Sequence, residues 1–358
     1  MASNYKKLGE YISEVDKRNS DLSLGENDLF GISVSKEFIT THANLVGVSF
    51  DNYKVVNNRN FAYISDTSRR GDKIAISLND KDKNIIVSSI CTVFQINDET
   101  KLLPEYLILW FMRPEFDRYA RFMSNGSARE TFDWECMCGV ELPVPSIEEQ
   151  RKIVHDYKVI TDRIELLKKI NENLDETLVN HFFSLELNDS KTIKELTKNS
   201  IGVRTGKSPQ DSNDSKNSKF QYPIIGASGI MGYTSLHLYD GRVVSTGRVG
   251  TIGKVMLWEN RNWFTDNSLV IESEYIATIY SALKTFNFGE ITGGSSNPKI
   301  TQTDLNESKV SIPNSESIAK FELFAKPIID LIFTNKKEII SLENLSQVLL
   351  SNISREVA

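Results

Sequence analysis

The sequence predicts an α+β protein: two similar mixed α/β globules, each followed by a long helix, in an internal repeat. Three observations lead there. Each half of the chain ends in a long alternation of polar and apolar residues with helical spacing. Each alternation follows a strand-like segment stopped by proline, Val140-Glu-Leu-Pro143 in one case and Val310-Ser-Ile-Pro313 in the other. Within them Glu172-Asn173-Leu174 recurs as Glu343-Asn344-Leu345, an offset of about 170 residues. The openings of the halves also correspond, Lys6-Lys7-Leu8-Gly9-Glu10 against Lys191-Thr192-Ile193-Lys194-Glu195-Leu196. The expected boundaries are 1–145 for the first globule, 146–185 for the first helix, 186–312 for the second globule and 313–358 for the second helix.

In the first globule, Phe61-Ala-Tyr-Ile64, Lys73 to Ser77 and Asn84 to Phe94 read as strands, because they are rich in β-branched and aromatic residues. Pro104 to Met123 reads as a helix. Pro143 and Pro145 then end the strand-like stretch, and Ser146 with Glu149 three positions on forms a capping box for the first long helix. Its apolar stripe runs through Ile153, Tyr157, Ile160, Ile164, Leu167, Ile170, Leu174, Leu178 and Phe182, mostly in steps of four and three. Such a narrow stripe suits a coiled-coil seam. In the second globule Arg242 to Ser245, Gly253 to Trp258 and Asn267 to Ile271 are strand-like, Tyr275 to Leu283 helical, and the polar stretch 205–219 a loop. The second long helix carries Ile328, Ile332, Ile339, Leu342, Leu345, Leu349 and Ile353, interrupted at Asn335, a polar residue suited to fixing register. The simplest arrangement has the two stripes bury each other. At about 1.5 Å per residue, some 35 residues span roughly 50 Å, more than the 34 to 36 Å or so of one B-DNA turn. Periodicity alone is equally compatible with helices that merely pack on a two-domain core.

Composition narrows the class. The 358 residues are 40% hydrophobic and 25% charged, an ordinary globular balance. No apolar run approaches the roughly 18 to 20 residues of a membrane span, and the start lacks the apolar region of a secretory signal. Three cysteines, Cys91, Cys136 and Cys138, make no disulfide framework and fit a reducing compartment, so a cytoplasmic protein is expected. With 42 Lys+Arg against 48 Asp+Glu the net charge is -6, which discourages a nucleic-acid reader only on average. Lys191 to Lys219 hold seven basic and three acidic residues, Lys54 to Lys73 five and two, and Arg242 to Arg261 four and one. Each window is a candidate electrostatic footprint, or equally a solvated loop.

Catalytic signatures are missing. There is no adenosylmethionine turn followed by the Asn/Asp-Pro-Pro-aromatic tetrapeptide of adenine methyltransferases; Asn297-Pro298-Lys299 is the nearest stretch. Gly247 to Lys254 is superficially like a phosphate loop but fails on spacing and lacks a hydroxyl residue after the lysine. His42, His155, His181 and His237 have no metal-ligand spacing, and Cys136-Met-Cys138 alone is too little for zinc. The chain therefore reads as non-catalytic, with no metal of its own.

Residues 140–183, with their Pro-x-Pro, Glu-Glu-Gln, Ile-Val and a long helix ending in Phe, resemble the central conserved region of the specificity subunit of type I restriction-modification systems. Tyr53-Lys-Val-Val, Ile85-Ile-Val-Ser-Ser, Leu103-Pro104-Glu-Tyr-Leu, Gly126-Ser-Ala-Arg129, Phe132-Asp-Trp134 and Val244 to Lys254 are similar to its target-recognition domains. After Pro313 the second half departs from the pattern, with Asn-Ser-Glu-Ser in place of the second proline and the Glu-Glu-Gln. The resemblance implies two target-recognition domains separated by two antiparallel helices in a coiled coil, with a pseudo-twofold repeat. It implies a bipartite double-stranded DNA target and two methyltransferase partner subunits that bring S-adenosylmethionine. Restriction subunits would bring ATP and Mg, and this chain no cofactor. The rivals are a protein-binding coiled-coil adaptor and a stand-alone methyltransferase or nuclease with degenerate motifs.

DNA contacts call for phosphate clamps and a few side chains that reach base edges. The candidates are Arg69, Arg70, Lys73 and Arg129 in the first globule, Arg129 alternatively pairing with Glu130 or Asp133. In the second they are Arg204, Lys207, Arg248, Lys254, Asn297 and Lys299. Glu149, Gln150, Arg151 and Lys152, at the start of the first long helix, are the candidates for contact with a methyltransferase subunit.

Overall fold

The protein is seen in a computed structural model that describes residues 5–41, 45, 47–67, 73–124, 130–293 and 298–354. The chain divides into two compact units, one formed by residues up to 165 together with those from 340 on, the other by 166–339. Each long helix belongs partly to both.

In the first unit a four-stranded sheet runs in the order Ile12–Glu14, Cys91–Ile96, Phe61–Ile64, Ile76–Leu78, antiparallel throughout. Its cross-strand pair Phe61 and Phe94 stacks with ring centroids 4.8 Å apart, and Phe111 meets both edge-on, so the aromatic residues that signal strand also make the core. The apolar run 84–94 is two strands rather than one: Ile85–Val87 pairs with Lys54–Val56, and the chain turns where the Cys91 amide donates to the Ser88 carbonyl. The expected helix 104–123 is likewise two, Pro104–Met112 and Pro114–Met123. Proline excludes helical geometry at the residue before it, and Arg113 is extended there with ψ 136°.

The second unit holds a four-stranded sheet, Arg204–Thr205, Ser268–Ile271, Val243–Gly247, Met256–Trp258, and a three-stranded one, Gly229–Thr234, Tyr222–Gly226, Trp263–Phe264. The strand expected from Gly253 begins only at Met256, and the helix expected from Tyr275 is Ile276–Lys284. The repeat is visible in the closing pairs. Tyr5–Lys7 pairs antiparallel with Glu141–Pro143, and Asp189–Thr192 with Lys309–Ile312, so in each half the opening strand returns beside the segment that leads into a long helix.

The long helices are Ile147–Ser184 and Ser315–Asn352. In the first unit the start of one packs with the end of the other, Ile153, Val154 and Tyr157 joining a core that includes Leu350 and Ile353. In the second, Leu178 and Phe182 at the end of the first helix share a core with Ile318 and Phe321 near the start of the second. The helices are therefore antiparallel. The stripe of the first helix is as expected at Ile164, Leu167, Leu178 and Phe182, all buried. The second differs: Leu345 is 46% exposed, while Ile329, Phe333 and Leu350 are buried in its stead. Both residue sets fit a helical period, and the one that meets the cores wins. Asn335 is 5% exposed and donates from Nδ2 to Oδ1 of Asn171 on the first helix at 2.9 Å, the buried polar crossing its position suggested.

Candidate nucleic-acid interface

Strand direction decides which basic residues meet in the second unit. Arg204–Thr205 and Val243–Gly247 both run antiparallel to Ser268–Ile271, so both leave the sheet at its Ser268 end, with Thr205 opposite Leu269 and Gly247 opposite Ser268. Lys207 and Arg248 follow those exits and are held by backbone bonds. The Lys207 amide donates to the Phe264 carbonyl at 2.8 Å and the Arg248 amide to the Asn267 carbonyl at 2.8 Å. The loop after Arg248 is tight: a Cβ on Gly247 would lie 2.3 Å from the Thr251 carbonyl oxygen, and Gly250 and Gly253 sit at φ +78° and +81°. These glycines shape a turn in which backbone and cations are presented together.

Two further basic residues reach the same end. Lys299 bridges both Val249 and Gly293, and the Ile300 amide donates to the Arg248 carbonyl at 3.0 Å. Lys254 extends its ammonium to the Ser228 carbonyl at 2.7 Å, pinning the turn between Gly226 and Gly229. Lys207, Lys254 and Lys299 are exposed, Arg248 half-buried, and among the described residues none is in an ion pair with a carboxylate. The Arg248 Nε is buried without a hydrogen-bond partner among those residues. Arg204 stands apart, deeper along its strand opposite Val270, with its guanidinium 3.8 Å from Glu272. Asn297 lies outside the described residues.

In the first unit Arg69, Arg70 and Arg129 lie outside the described residues, as does His42. Lys73 is exposed. Next to it, the Ile74 amide donates to Asp117 at 3.1 Å and the Ile74 carbonyl accepts from Lys36 at 2.6 Å, while Lys36 and Asp117 form a buried ion pair. Burial lowers the Lys36 ammonium from its usual range although Asp117 opposes that shift. On the other side Thr67 donates from its amide to the Glu130 carbonyl, its hydroxyl reaches Ser124, and Phe132 donates to the Ser65 carbonyl. Residues 65–67 and 130–132 therefore run side by side, with Asp66 bridging Thr131. Glu130 pairs with Arg121 at 3.4 Å and Asp133 caps the helix Trp134–Cys138 through the Cys136 amide at 2.8 Å. The Lys36–Asp117 root escaped the sequence, in which the two residues stand far apart in segments without a motif.

The start of the first long helix divides sharply. Glu149, Arg151 and Lys152 are exposed, and the Glu149 amide is capped by Ser146 Oγ at 3.3 Å. Gln150 is 0% exposed. Its carbonyl accepts from the Leu103 amide at 2.9 Å, and its amide donates to the Lys101 and Pro145 carbonyls at 2.8 and 2.9 Å. This corrects the expectation that Gln150 faces a partner: its hydrogen-bonding capacity is consumed inside the first unit. Among the described residues no group of three or more His, Cys, Asp or Glu could hold a metal ion, and no helix is long and apolar enough to cross a membrane.

The domain family described as the type I restriction modification DNA specificity domain matches residues 4–176 and again 187–344. The chain belongs to this family. Its two matches fall on the two halves of the repeat. The specificity subunit of the type I restriction enzyme MjaIX from Methanocaldococcus jannaschii is 24% identical over 298 residues, 70% of this chain and 68% of the relative. The crystal structure of the type I restriction-modification S subunit from M. genitalium has the same fold, with a TM-score of 0.56 at 16% identity over 98% of this chain and 95% of that one. A type I specificity subunit needs a surface that reads DNA, and the loop end that carries Lys207, Arg248, Lys254 and Lys299 is a concrete candidate for it.

Proposed function

We propose that this chain addresses a type I restriction-modification complex to a bipartite DNA sequence, each target-recognition domain reading one half, and is not itself an enzyme. The observation that carries the reading is the duplicated specificity domain together with cations that have no carboxylate partner among the described residues, on glycine-shaped loops at one sheet end. Cations without acidic partners are available for phosphates, and the loops between them for base edges. The 38-residue helices, at about 1.5 Å per residue, are each about 57 Å long, enough to separate two half-sites by more than one helical turn of DNA.

Glu149, Arg151 and Lys152 would contact one of two methyltransferase subunits, and these would supply S-adenosylmethionine and extrude the adenine to be methylated. Restriction subunits would join through that complex and bring ATP and Mg. The setting is the cytoplasm. Co-expression with the methyltransferase subunit, followed by mapping of methylated adenines, tests this. A two-part sequence with a fixed gap is expected, present only when this chain is. Methyl transfer by the purified chain alone, or methylation that ignores the chain, would refute the reading.

A further inference from the structure

The hairpin Tyr222–Gly226/Gly229–Thr234 carries a feature that packing does not explain. Its register shifts by one residue, with Ile224 opposite Gly232 but Ile225 opposite Ile230, so Met231 is an extra residue bulged out of the ladder. A strand normally alternates its side chains between faces, whereas a bulge re-aims one of them. Here two consecutive apolar residues are turned outward: Ile230 is 51% and Met231 66% exposed. The neighbouring partner Ile225 is fully buried, so the hairpin is anchored while its tip is bare. Met231 lies over Gly226, where a Cβ would come within 2.2 Å of its sulfur. Glycine at 226 thus leaves the thioether its place.

The surroundings state what the tip meets. Its turn is held by Lys254 through the Ser228 carbonyl, Gly247 of the loop that carries Arg248 has the Ala227 methyl as a neighbour, and Lys299 bridges that same loop. An apolar tip bordered by cations that have no carboxylate partner among the described residues complements a polyanion with an apolar feature inside it. Duplex DNA offers one in the major groove, which admits a two-stranded ribbon and displays the thymine 5-methyl group.

We infer that Ile230 and Met231 form an apolar finger that recognises a thymine methyl group in the half-site read by the second domain; this rests on the DNA-reading function proposed above. The cations hold the phosphates and set the register, and the finger discriminates.

The test uses the full chain assembled with its methyltransferase subunit. Selection from a random duplex library gives the bound sequence, and thymines in it are then replaced one at a time by uracil, which lacks only the methyl. Uracil is expected to weaken wild-type binding about fourfold at one or two positions of one half-site, the loss of one buried methyl contact. In Met231→Ala, and in Gly226→Ala, which displaces the methionine while keeping it, that penalty should vanish, with the salt dependence of binding unchanged. Met231 is exposed, so its truncation leaves folding intact, as an unchanged melting temperature will verify. A uracil penalty absent at every position, or equal in wild type and both variants, overturns the inference alone. A complex that selects no sequence overturns the DNA-reading function and the inference with it.

Discussion

Asn335 and Asn171 hydrogen-bond across the two long helices, Nδ2 to Oδ1 at 2.9 Å, within a seam otherwise lined by aliphatic and aromatic side chains. The pair favours one alignment of the helices, because slipping either would part Asn335 Nδ2 from Asn171 Oδ1, a bond that the longer contact of Asn171 Nδ2 with the Ile332 carbonyl at 3.5 Å does not replace. Asn335→Ala should cost about 1 to 3 kcal/mol of unfolding free energy, measured by denaturant titration. The double variant with Asn171→Ala should lose less than the sum of the two singles, since the second truncation removes the orphaned partner. Strictly additive losses would mean that the pair fixes nothing.

Glu322 acts at the start of the helix Ile276–Lys284, where Tyr275 offers no side-chain cap. Its carboxylate accepts from the Ala277 amide at 3.2 Å and from the Thr278 amide and hydroxyl at 2.8 Å each. Burial nonetheless raises its carboxyl above the usual range, with the bonds to Thr278 and Ala277 opposing. A carboxyl raised in the folded state holds more protons there than in the unfolded chain, so stability falls as pH rises from about 4.5 through the folded value. Glu322→Gln is expected to be less stable, because its NH2 faces a donor, yet to lack this slope. The stability gap between wild type and variant should therefore narrow with rising pH across that window in paired denaturation curves. A gap that widens would contradict the sign.

Lys207→Ala and Lys299→Ala each remove an exposed cation with no acidic partner among the described residues. If these ammonium groups meet phosphates, each loss should weaken DNA binding by the assembled complex evenly across sequences and reduce the slope of log affinity against log salt by about 1. Arg204→Ala should change the slope much less, because its guanidinium is already neighboured by Glu272. Equal slopes in all three variants would remove these lysines from the interface.

Much of the architecture was legible because it is periodic. The helix starts follow Pro143, Pro145 and Pro313, and the stripe through Ile164, Leu167, Leu178 and Phe182 needs only the 3.6-residue turn. What was illegible depended on tertiary partners. The period does not choose between Leu345 and Leu350, and the break at Arg113 was written only in Pro114, inside a run that otherwise reads as one helix. The hairpin with Ile230 and Met231 is hidden in the sequence because Pro223, Gly226, Gly229 and Gly232 interrupt its apolar run, and a bulge has no periodic signature. In the site, the Gly247–Lys254 turn announced itself through its glycines, whereas the convergence of Lys207, Lys254 and Lys299 follows from strand directions that no local pattern records.

Gln150 and its neighbours separate structure from partner contact within one helical turn. Gln150 joins three backbone groups, from Leu103, Lys101 and Pro145, that lead into Pro104–Met112 and out of the Glu141–Pro143 strand. Gln150→Ala strands those groups in a site without water access, at about 1 to 3 kcal/mol for each left unsatisfied, and should lower the melting temperature of the free chain. Arg151→Glu and Lys152→Glu change exposed groups and should leave that temperature within the small range of surface substitutions. In co-purification with the methyltransferase subunit the order should reverse, the two charge reversals losing the partner and Gln150→Ala retaining it where folded. Should Gln150→Ala melt like wild type, the buried joint is not holding the helix start; should both reversals retain the partner, the methyltransferase docks elsewhere.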